Sequence, residues 1–108
     1  MNKNDLQARY QITQQVLDDF HTWQLHTCNI RNDVYFQKDL PILQTITQLR
    51  IIGFNLFEIE EYLNSNQSKQ KIQLLNKKRS ERLTIIHNFE KQITSIDYLK
   101  FQINKGDF

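Results

Sequence analysis

The chain has 108 residues, 39% of them hydrophobic and 24% charged, with two glycines, one proline and one cysteine. That length holds one small domain, or one domain and a long arm, and so few glycines and prolines exclude a turn-rich all-β protein. Formal charge is +2 overall, but residues 1–63 carry five bases against eight acids, whereas residues 64–108 carry nine against four. One thiol excludes an internal disulfide and a multi-thiolate zinc site, and the short apolar runs exclude a membrane span. The start, Met-Asn-Lys-Asn-Asp, lacks the hydrophobic stretch of a signal peptide. The expectation is a mostly helical cytoplasmic protein. Its thin core of Ile, Leu and Phe is of the kind that oligomerisation completes.

Asn4 and Asp5 offer an N-cap for a short helix from Leu6 to Tyr10. Gln11-Ile12-Thr13 interrupts it with one apolar anchor, Ile12. Thr13 can then cap a second helix, along which Val16, Leu17, Phe20, Trp23 and Gln24 recur at spacings of three and four. Short helix, three-residue break, longer helix is the grammar of a helix-turn-helix, which many two-helix hairpins share. Residues 28–36 predict a strand pair: Ile30 against Val34-Tyr35-Phe36, turning at Arg31-Asn32-Asp33. Such a ribbon would be a wing; the alternative is an irregular loop over the core.

Asp39 reads as the N-cap of a third helix with Pro41 in its first turn. Ile42, Leu43, Ile46, Leu49 and Ile52 form its apolar stripe, and Gly53 closes it in the left-handed conformation. Asn55-Leu56-Phe57-Glu58 is a capping box that opens a fourth helix with Ile59, Tyr62 and Leu63 inward. Residues 64–68 are a polar linker.

From 69 to 103 there is no Gly or Pro, which predicts one helix roughly 50 Å long at 1.5 Å per residue. Ile72, Leu75, Arg79, Arg82, Ile86, Phe89, Ile93, Ile96, Lys100 and Ile103 step alternately by three and four, a heptad seam. Leu74, Ile85 and Leu99 broaden it. A helix this long cannot bury its seam on so small a body, so a second copy is the expected partner. Arg79, Arg82 and Lys100 then mark where the helices splay, or where Arg reaches across to Glu81 or Glu90 and fixes the register. The expected divisions are a head (1–64), a dimerisation helix (69–103) and a short tail (104–108).

For a helix-turn-helix, Thr13, Gln14 and Gln15 at the start of the second helix are the candidate base readers, since Gln bonds an adenine edge bidentately. Arg9, Arg31, Asn32, Tyr35 and Lys38 are candidate phosphate contacts. Asp18 and Asp19 follow on the same helix. Each carboxylate near a phosphate opposes counterion release, unless one accepts from a cytosine amino group. The plain alternative for all of these is a solvated surface. His21, His26 and Cys28 lie close together, but no fourth ligand stands at short spacing, and they read as ordinary surface or half-buried residues. His87 reads as packing, and Phe20 and Trp23 as core. No catalytic constellation, metal site or cofactor motif can be assembled, so no enzyme is expected.

The run Asp39-Leu40-Pro41-Ile42-Leu43-Gln44-Thr45-Ile46-Thr47-Gln48-Leu49-Arg50-Ile51-Ile52-Gly53-Phe54-Asn55-Leu56-Phe57-Glu58-Ile59 resembles a segment of the MerR family of bacterial transcriptional regulators. There an Asp-Leu, a Leu-Arg at helical spacing, Gly-Phe-Ser-Leu and Glu-Ile follow in order. Residues 6–20 are similar to the family's helix-turn-helix in length and anchors, and the heptad helix to its antiparallel dimerisation helix. The resemblance implies a winged helix-turn-helix head, two further helices and a long C-terminal helix that forms an antiparallel coiled coil. It also implies a homodimer acting on a pseudo-palindromic promoter in double-stranded DNA. Four positions depart from the pattern: Gln11 and Asp33 stand where glycine is usual, and Asp18-Asp19 where Arg and Tyr are. No effector domain or cysteine-bearing metal loop is expected after the long helix, so the resemblance implies an architecture without a signal. The alternative function is a degenerate member of the family. It would be a dimeric interaction module, weak or inactive on DNA, that pairs with itself or with a paralogous regulator.

Overall fold

The structure, a computed structural model, describes residues 1–28 and 35–106. Its elements run α1 (Lys3–Tyr10), α2 (Gln14–Cys28), a 3-10 turn (Gln37–Asp39), α3 (Leu40–Ile51), α4 (Leu56–Asn64) and α5 (Ser68–Asn104). The protein is mostly α, and no described residue lies in a strand. The expected ribbon falls largely on residues 29–34, outside the described residues, while Tyr35 and Phe36 are irregular. The chain forms two compact units, residues 1–70 and 71–108.

Local chemistry sets the helix ends. α1 starts at Lys3 rather than Leu6 because Asn2, not Asn4, is the cap. Asn2 Oδ1 accepts from the Asp5 N–H at 2.9 Å, and the Asp5 carboxylate accepts from the Asn2 N–H at 3.3 Å. α1 ends at Gln11, whose φ of 57° and ψ of 32° are left-handed. A non-glycine there costs about 1–2 kcal/mol. As expected, Thr13 opens α2, its Oγ1 accepting from the Val16 N–H at 3.3 Å.

Asp39 behaves differently from expectation. Its carboxylate accepts from the Phe36 N–H at 2.8 Å and so closes the 3-10 turn, and it makes no side-chain cap bond to α3. As expected, Gly53 follows the end of α3 in the left-handed conformation, with φ 93°. Ile52 lies past the helix and is 38% exposed, which removes it from the predicted stripe. Asn55 and Glu58 exchange the expected capping-box bonds at 2.9 and 3.0 Å and start α4.

The core of the first unit is apolar and spans all four of its short helices. Leu6, Ile12, Val16, Leu17 and Phe20 are buried along the first hairpin, Leu43, Ile46 and Leu49 along α3, and Phe54 and Ile59 beyond it. Each such side chain contributes roughly 1.5–3 kcal/mol. α2 packs on α3. It is also tied to α4 by Trp23 Nε1 donating to Asn64 Oδ1 at 3.0 Å and by a 2.7 Å contact between His26 Nδ1 and Glu60.

Candidate nucleic-acid interface

α2 sorts its side chains by helical period. Val16, Leu17 and Phe20 turn inward, leaving Thr13, Gln14, Gln15 and Asp18 exposed at its N-terminal end. Gln14 Nε2 donates to Asp18 Oδ1 at 2.8 Å, so amide and carboxylate form one polar unit on this surface. Gln15 stands beside them. This exposed turn is where a helix-turn-helix places its base contacts.

Asp19 does not share that surface. It is 5% exposed, and its two oxygens accept from Arg50 Nε at 2.7 Å and Nη2 at 2.8 Å, a two-pronged ion pair between α2 and α3. The hydrogen bond to Asp19 raises the Arg50 pKa above its ordinary value; burial opposes this, and the charge of Asp19 reinforces it. Arg50 Nη1 also reaches the Phe54 carbonyl at 3.4 Å. The expectation that Asp19 belongs to the DNA-facing set is therefore corrected: its carboxylate is occupied inside the head. A signal for this exists in the sequence, since Asp19 lies three residues after Val16 on the inward side, and Arg50 follows Ile46 by four.

Tyr35 is a second correction. It is 4% exposed, its hydroxyl lies 2.6 Å from His21 Nε2, and its ring packs 6.3 Å from that of Phe20. β-Propensity favours a wing position, but the aromatic body is buried in the core and its hydroxyl is unavailable to a phosphate. Arg9 and Lys38 are exposed, their charges 5.7 Å over the Tyr10 ring and 5.5 Å over the Phe36 ring. Arg31 and Asn32 lie outside the described residues.

The imidazoles considered as ligands are engaged separately, His21 by Tyr35 and His26 by Glu60. Among the described residues no group of three His, Cys, Asp or Glu is placed to hold a metal. The seam residues of α5 belong to the second unit. Ile72, Arg79, Arg82, Ile86, Phe89, Ile93, Ile96 and Ile103 are exposed and Leu75 is half-buried. Phe89 and Ile93 each leave 58% of their surface open. Glu81, one of the two acids expected across the seam, is held within its own helix by Lys78 at 3.1 Å. No protein-family model, curated protein or solved structure matches this chain.

Proposed function

We propose that the protein is a cytoplasmic, homodimeric regulator of transcription that reads a promoter duplex through the α1–α2 hairpin, as the MerR family it resembles does. The observation that carries this reading is the hairpin itself: a left-handed break at Gln11, a buried anchor at Ile12, and an exposed polar turn of Thr13, Gln14, Gln15 and Asp18. Gln11 stands where the family usually has glycine, and it adopts the backbone that glycine favours. The departure in residue type is thus compatible with the turn that the resemblance implies. Burial of Asp19 on Arg50 removes one of two carboxylates that would oppose phosphate approach.

The dimer half of the reading rests on the exposed apolar face of α5, which pairing with a second copy would cover. Two-fold symmetry then requires a pseudo-palindromic site. Exposed Asp18 favours the second reading, a dimeric interaction module with weak or no DNA binding. A gel-shift series tests the choice, with DNA from upstream of the protein's own coding region set against unrelated duplex. A complex on the upstream fragment at lower protein concentration supports the regulator. No complex on either fragment at low salt supports the interaction module.

A further inference from the structure

We infer that the open face of α5 takes a second copy of this chain in one antiparallel register, centred between His87 and Asn88, and that Arg79 selects that register through the partner's Asp97. The inference rests on the dimer half of the proposed function and is independent of DNA binding. α5 is continuous from Ser68 to Asn104, so its seam positions keep their spacing throughout. Those positions are symmetric about their midpoint. Reversing one helix sets Ile72 opposite Ile103, Leu75 opposite Lys100, Arg79 opposite Ile96, Arg82 opposite Ile93 and Ile86 opposite Phe89. Each cation then meets an apolar residue, along which its aliphatic stem packs while its head reaches the rim.

The other arrangements fail on charge or on overlap. A parallel, in-register pair sets Arg79, Arg82 and Lys100 each against its own copy, three like-charge contacts inside the seam. An antiparallel pair slipped one heptad one way sets Arg82 against Lys100. Slipped the other way, it leaves Lys100 and Ile103 facing positions outside the seam.

One acid completes the selection. Arg79 has no acid three or four residues away on its own helix. In the central register it is level with the partner's Ile96, and Asp97 follows directly on the flank of the seam. Arg82 lies opposite Ile93 on the flank of the seam away from Glu90, so it contributes by packing its stem along the partner's Ile93. Asp97 is exposed. The same seam that is apolar enough to pair is thereby restricted to one orientation.

The test uses the full chain with Cys28 replaced by serine. Ile72→Cys and Ile103→Cys proteins are oxidised separately and as a mixture, and charge variants are followed by sedimentation equilibrium. The expected result is a covalent dimer in the mixture only, because like positions stand about 46 Å apart along the axis in this register. Arg79→Glu should weaken dimerisation about tenfold or more, and adding Asp97→Arg should recover most of the loss. Rapid cross-linking of Ile72→Cys alone would overturn the antiparallel register. Failure of the charge swap to recover dimerisation would overturn selection by Arg79. A wild-type monomer at the highest soluble concentration would overturn the inference together with the dimer, while DNA binding by the head is scored separately by gel shift.

Discussion

Removing either member of the Asp19–Arg50 pair should destabilise the head far more than a surface change would, and unequally. Loss of one partner of a buried ion pair costs about 3–5 kcal/mol, because the survivor stays desolvated without its hydrogen bonds. In this pair the Asp19 side chain keeps 6% of its surface and the Arg50 side chain 25%. Asp19→Ala leaves Arg50 with the Phe54 carbonyl at 3.4 Å and partial access to water, so the cost should fall near about 3 kcal/mol. Arg50→Met strands a nearly enclosed carboxylate and should fall near the upper end, about 4–5 kcal/mol. The double change Asp19→Leu with Arg50→Met removes both charges and should cost less than either single change. Urea unfolding at one fixed protein concentration reads all four proteins, with an unchanged m value marking a pure stability effect. A loss below about 0.5 kcal/mol for both single variants, the level of an ordinary surface substitution, would refute the buried-pair argument.

Three further outcomes follow from the same geometry. Gln11→Gly should stabilise the head by about 0.5–1 kcal/mol in the same urea assay, since glycine enters the left-handed region without a Cβ penalty; a loss of stability would count against the turn. Gln15→Ala should relax selection at one or two base pairs per half-site in a binding-site selection, each worth about 1–3 kcal/mol. A uniform loss on all sequences would remove Gln15 from the readers. Phe89→Asp with Ile93→Asp puts charges on two exposed residues near the seam's centre and should give monomers by sedimentation; an intact folded dimer would show that another face pairs.

Much of this fold is legible residue by residue, and the exceptions have local causes. α5 follows from a long stretch free of Gly and Pro, α4 from the Asn55–Glu58 box, and the end of α3 from Gly53. The start of α1 is ambiguous in the sequence because Asn2 and Asn4 are both good caps. What decides is Asp5, which stands three residues after Asn2 and completes the reciprocal box. Asp39 departs from its expected role for a related reason: a carboxylate near a helix start has several N–H donors in reach, and the Phe36 N–H takes it. On the candidate interface, Gln14, Gln15 and Asp18 are exposed as their period suggests. Asp19 escapes a local reading, because burying a carboxylate depends on a cation 31 residues away, and helical period alone does not name that partner. Tyr35 shows the same limit, with an aromatic residue of high β-propensity serving as core under α2.

The claim that α2 meets DNA is tested most directly by titrating duplex binding against salt for the wild type and for Asp18→Arg. Asp18 is the carboxylate that remains exposed at the N-terminal end of α2, so reversing its charge changes the candidate interface with little effect on the fold. The wild type should bind duplex DNA with an affinity that falls steeply with salt. The variant should bind non-specific duplex more tightly, its log affinity falling more steeply against log salt by roughly 0.9 for each additional phosphate neutralised per head. Identical affinities and slopes for the two proteins, or no binding by either at low salt, would contradict the claim.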